Sequence, residues 1–139
     1  FAVNASGMIV GSRVTSRFSS VFTALQVGVI GLFFSSLAFV AVLVFGGAFY
    51  WMEALLFAMM GFLGMILPTS TSLALTLERK NAGGASAVIG FFLFLFGAVV
   101  SPLTGFGNMI ASISVMTLVC CVLALFFLFV AKKRSGSLA

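Results

Sequence analysis

Catalytic and metal-binding sites need groups that exchange protons, attack electrophiles or ligate cations, and this sequence holds very few. It contains no histidine and no aspartate; its carboxylates are Glu53 and Glu78 and its thiols the adjacent Cys120 and Cys121. No Ser/His/Asp or Cys/His relay, carboxylate pair or metal cage can be assembled from these residues. The two cysteines sit inside an apolar run and read as small hydrophobes rather than as a disulfide framework. An enzyme is therefore not expected, nor is a cofactor or a metal site.

What remains is a set of polar and small residues in apolar surroundings. Glu53 is the one carboxylate inside an apolar stretch, and a charge at a bilayer centre costs at least about 2.5 kcal/mol. It is either a solvated interfacial group or a proton or cation site. Glu78, in the ERK loop, reads as a surface group. Farther on, GFLGMILPTSTSLAL places Pro68 inside an apolar helix, followed by Thr69, Ser70, Thr71 and Ser72. Proline frees a carbonyl and bends the chain, and hydroxyls can bond back to the helix or face a wet cavity. Helical spacing puts Glu53, Met60, Gly64, Pro68 and Thr71 roughly along one stripe, a candidate pathway face. The alternative is a helix-helix contact at which hydroxyls relieve the kink. In GGASAVIGFFLFLFGAVVSPL, Ser86, Gly90, Gly97 and Ser101 share a face on which another helix can approach closely. Phe91 and Phe94 flank that face, either lining a cavity for flat apolar molecules or facing lipid. The candidate substrate-binding set is thus Met60, Gly64, Pro68, Thr71, Phe91 and Phe94.

These residues must be positioned by membrane helices. Of the 139 residues, 63% are hydrophobic and 6% charged, against about 25% charged in an average soluble domain, which excludes a water-soluble fold. Four apolar stretches are expected near 21–46, 51–77, 84–103 and 109–131, each meeting the roughly 20 residues needed to cross the hydrocarbon. Runs such as CCVLALFFLFVA lack the alternation of a barrel strand, so all four should be helices. The segment 1–12 reads as the end of a helix cut short, because it is too brief to span and its order of apolar then basic residues is the reverse of a signal peptide. The sequence is accordingly expected to be the C-terminal part of a longer membrane protein. Short connections suggest that consecutive helices are antiparallel neighbours in one bundle.

Charge placement orients them. Arg13 and Arg17 precede the first full span, Arg79 and Lys80 separate the second from the third, and Lys132, Lys133 and Arg134 follow the fourth; GGAFY and TGFGN carry no basic residue. The basic loops and the tail at 132–139 are therefore expected in the cytoplasm. The net charge of +5 is topological, and no nucleic-acid partner is implied. Tyr50 and Trp51 suit an interfacial anchor on the opposite side.

The opening FAVN, the TSRF loop, ILPTSTSLAL, NAGGASAVIGFFLFLFGAVVSPL and the KKR ending together resemble the C-terminal half of a bicyclomycin-resistance-type (Bcr/CflA) multidrug exporter of the major facilitator superfamily. AGGASAVIG followed by FLFGA is the most specific portion. The resemblance implies that 1–12 is similar to the end of helix eight and the four spans to helices nine to twelve of a twelve-helix transporter. It also implies proton-driven drug export from the bacterial cytoplasm by rocking of two halves around a midplane site. By that analogy 51–77 lines the cavity, 84–103 contributes to it, and the other two spans are peripheral. Leu93 stands where such proteins often carry Gln or Arg, which favours hydrophobic substrates. The coupling carboxylates of the family lie chiefly in the N-terminal half.

The expected fold is therefore an all-α integral membrane bundle, the truncated C-terminal half of a major facilitator fold. Its partners would be a drug-like small molecule, protons, the lipid bilayer and the missing N-terminal half, in the bacterial inner membrane. A metabolite carrier is the alternative within transport, although a sugar site would want several amides and carboxylates at mid-depth and only Gln26 lies well inside a span. A non-transporting membrane scaffold is the alternative outside it. Cysteines engineered beside Lys80 or Lys133 should resist an impermeant maleimide applied to intact cells. Labelling from outside would overturn the orientation.

Overall fold

The computed structural model describes residues 2–77, 79–105 and 108–136. Glu78 and part of the TGFGN connection lie outside the described residues, as does the tail from 137 onward. The described chain is all helical: α1 (Ala2–Thr15), α2 (Val21–Val44), α3 (Phe49–Leu77), α4 (Ala82–Leu103) and α5 (Met109–Gly136), with one 3-10 turn at Arg79–Asn81. The last four are each long and apolar enough to cross a membrane. Helix α5 continues through the basic cluster to Gly136 rather than ending before it.

The connections follow from local chemistry. Gly46 adopts a positive φ of 68° just past α2, where the amides of Phe45 and Gly47 bond the carbonyls of Ala41 and Val42. A side chain would strain this left-handed residue, so glycine stops the helix here. Asn108 starts α5, its side-chain oxygen accepting from the Ile110 amide at 3.1 Å, a bond that satisfies one of the helix's free N–H groups. Tyr50 and Trp51 are exposed on the first turn of α3. Arg13, Arg17, Lys80, Lys132 and Lys133 are exposed at the other end of the bundle.

Helix α3 is the hub, packing on α1 along one side and on α2 along another, while α5 lies against α2. The expectation that consecutive helices are neighbours holds for α2 and α3 and briefly for α3 and α4, and is corrected for α1 and α2 and for α4 and α5, which barely touch. The physical reason lies in the glycines of α1. A Cβ built on Gly11 would run into the backbone of Gly61, and one built on Gly64 into the backbone of Met8. A Cβ on Gly7 would come within 2.9 Å of the Phe57 carbonyl oxygen. Two parallel backbones therefore meet over GMIVG in α1 and GFLG in α3, the close approach that small residues permit in lipid. On α2, Ala24, Gly28, Leu32, Ser36 and Phe39 recur at helical spacing and are buried. Gly28 and Gly31 on this helix sit against Ile66 and Phe62 of α3.

Helix α4 meets α3 over a short stretch only, and none of its described residues is buried. Open space surrounds Gly90 and Gly97, and Ser86 and Ser101 are respectively exposed on the same helix. Within the described residues, then, close packing through glycine occurs where α1 and α2 meet α3, and the small face of α4 has no helix against it.

The two sides of the glycine contact differ in tolerance. Gly11→Ala must separate α1 from α3 and should cost about 1–3 kcal/mol as overpacking. At Gly61 a Cβ would lie 3.7 Å from its nearest neighbour, the Gly7 carbonyl oxygen, so Gly61→Ala should be neutral or slightly stabilising through its better helix propensity. Thermal unfolding of the purified full-length protein in detergent checks the difference, and equal midpoints for the two variants would refute it.

Candidate functional site

The stripe on α3 begins near the Tyr50–Trp51 end with Glu53, which is half-buried, and passes Met60, also half-buried. Gly64 is buried against Met8 of α1. One turn later Pro68 is exposed, and Thr71 is half-buried. The stripe therefore runs from a helix contact at the middle of α3 to an open face in its last third. Gly64 belongs to the closed portion, Pro68 and Thr71 to the open one.

Pro68 has no N–H, so the carbonyl of Gly64 lacks its usual donor one turn back. The hydroxyls that follow are turned onto their own helix. Thr69 is fully buried and donates to Met65 O at 2.6 Å and Ile66 O at 3.0 Å, while Thr71 and Ser70 donate to Leu67 O at 2.7 and 3.2 Å. Ser36 and Ser114 do the same on α2 and α5. Donation to a carbonyl three or four residues back satisfies the hydroxyl locally and favours a bend. These groups thus adapt the helix to its proline, and Ser70 and Thr71 are also reachable from the open side.

On α4, Phe91 and Phe94 are 61% and 84% exposed, so neither ring is engaged by a helix of this chain. Phe91 stands edge-on to Phe92, which stacks on Phe96 with centroids 6.0 Å apart. The exposed phenylalanines of α4 are available to a ligand, to lipid or to another part of a longer chain. The structure does not close Phe91 and Phe94 onto Pro68 and Thr71, because α4 leans on α3 only briefly.

Sequence reasoning missed two features. One is the Gly7–Gly11 contact with α3, whose signal, G-x-x-x-G in the opening segment, was present. The other is an apolar cavity of about 270 Å³ where α2, α3, α4 and α5 converge, lined by Leu32, Met59, Leu63, Val100, Met116 and Cys121 among others. Drug-sized ligands occupy roughly 300–1,000 Å³, so this cavity is small for one. No spacing rule along one helix joins residues from four of them, so this feature is not legible in the sequence.

No family model matches the chain, and no solved structure does. Among curated proteins it is similar to an uncharacterized MFS-type transporter, YdgK, of Bacillus subtilis (strain 168), with 29% identity over 108 residues. That alignment covers 76% of this chain and 27% of the relative. The likeness supports a place in the major facilitator superfamily. It does not single out the bicyclomycin-resistance branch. The chain spans about a quarter of the relative's length, and with its four apolar spans it fits a fragment of a major facilitator fold.

Pro68→Ala would restore the missing donor to the Gly64 carbonyl. The variant should exchange backbone amides more slowly over residues 64–72 and unfold at a higher temperature, since proline inside a helix costs about 3 kcal/mol. Unchanged exchange over this segment would show that neighbouring groups already compensate for the proline.

Proposed function

We propose that this chain is the C-terminal part of a proton-coupled exporter of small hydrophobic or amphipathic drugs in the bacterial inner membrane, with its C-terminus in the cytoplasm. The observation that carries the reading is the aromatic surface of α4, on which Phe91 and Phe94 are bare. Such a surface suits flat apolar molecules and offers nothing to a sugar, which would need convergent amides and carboxylates. The likeness to an MFS-type transporter supports transport as the general activity. The bicyclomycin-resistance-type pattern of residues supports drugs as the substrate class.

Mechanistically, α3 and α4 contribute one wall of a central site and the rest of a longer chain contributes the other. Proton binding elsewhere in that chain changes the relative stability of inward- and outward-open states, and substrate binds the two with different affinities. Met60, Pro68 and Thr71 border the site from α3, and Phe91 and Phe94 from α4. Gly64 acts behind them, setting the distance between α3 and α1.

The decisive experiment expresses the full-length gene in an efflux-deficient bacterium and measures extrusion of a panel of compounds with and without a proton gradient. Gradient-dependent extrusion of apolar aromatic drugs is expected. Phe94→Ala should lower resistance to aromatic members of the panel by about tenfold, the scale of one lost apolar contact, and Thr71→Ala should alter selectivity, both at unchanged membrane insertion. Identical resistance profiles at equal expression would count against the assigned wall, and extrusion of polar metabolites alone would refute drug export.

A further inference from the structure

At the basic end of the bundle, α2 and α5 part to leave an open groove of about 660 Å³. Ile30 of α2 and Val122, Phe126 and Phe129 of α5 form an apolar wall, Gln26 projects from α2, and Lys132 stands at the end of α5. Gln26 is half-buried, and its amide has no hydrogen-bond partner among the described residues. It lies five residues into α2, about 8 Å along the axis. An amide at that depth on a lipid-facing flank is costly unless a polar group meets it. Lys132 ends the apolar part of α5 and is exposed.

The groove carries a cation, Lys132, where the apolar part of α5 ends, an amide, Gln26, about a turn and a half into α2, and apolar side chains farther in. A diacyl phospholipid has the complementary order of phosphate, ester carbonyls and hydrocarbon. We propose that this groove binds one anionic phospholipid from the leaflet at the basic end of the bundle. Its phosphate pairs with Lys132, an ester carbonyl accepts from the Gln26 amide, and one acyl chain lies along Ile30, Val122 and Phe126. Lys132 and its exposed neighbour Lys133 make the mouth of the groove positive, which selects an anionic headgroup over a zwitterionic one. A peptide segment or an apolar drug could fill the wall but has no reason to carry phosphate and ester groups at these two depths. The inference rests on the bundle lying in a membrane and is independent of what the protein transports.

The test uses the full-length protein in vesicles, with a tryptophan reporter at Phe129→Trp in a background free of other tryptophans. Quenching is measured against brominated phosphatidylglycerol and brominated phosphatidylcholine. Phosphatidylglycerol should quench at a mole fraction about fivefold lower, the worth of one cation beside an anionic lipid. Lys132→Gln should abolish that preference and Lys132→Arg should keep it, while Gln26→Leu should weaken quenching by both lipids. If the Phe129 variant does not reconstitute, Ile30→Trp reports from the facing wall. Equal quenching by the two lipids would overturn the proposal in favour of ordinary boundary lipid. Absence of quenching by either would overturn it by showing the groove filled by another segment, and an unaltered Gln26→Leu would remove the role given to the amide.

Discussion

Inside hydrocarbon a backbone can satisfy its N–H and C=O groups only by itself, and the whole architecture follows from that constraint. It makes helices of the apolar stretches, and it turns the hydroxyls of Ser36, Thr69, Thr71 and Ser114 back onto carbonyls of their own helices. With lipid as apolar as leucine, hydrophobicity cannot decide which helices meet. Shape decides instead, and α3 becomes the hub because glycines let α1 reach its backbone near Gly61 and Gly64 while Gly28 and Gly31 bring α2 onto Phe62 and Ile66.

The same logic separates support from function along α3. Contacts of α3 with α1 and α2 extend through Gly64, Met65 and Ile66; beyond them the proline removes a backbone bond, Thr69 stays buried, and Leu67, Pro68 and Ser70 are exposed. A packed segment followed by one that lacks a backbone bond confines local bending of α3 to the turn around Pro68. Helix α4 stands at the opposite extreme. It buries none of its described residues and carries the longest run of bare phenylalanine, surface that in a longer chain would face substrate, lipid or the other half.

The flank formed by α2 and α5 has a different chemistry. A lone amide and a terminal lysine there grade the surface from polar to apolar over about two turns, matching the membrane interface itself rather than a central cavity. Charge in this protein is confined to the ends of helices, and the bundle presents cationic groups to one side and aromatic ones, Tyr50 and Trp51, to the other.

From the sequence alone came the number of spans, their helical type, the common side of the basic ends and the polar irregularity at Pro68, because each depends on composition or on local spacing along one helix. Helix α5 runs on through its lysines, where backbone hydrogen bonding outlasts the apolar pattern. Phe91 and Phe94 were legible as residues outside the small face of α4, but their exposure was not. Only the tertiary structure decided that α1 pairs with α3 instead of with its chain neighbour, that Gly64 is covered while Pro68 is not, and that Gln26 shares a groove with Lys132 from the far end of the chain. Those outcomes depend on which backbones can approach one another in three dimensions, and a periodicity read along a single helix carries no information about its partner.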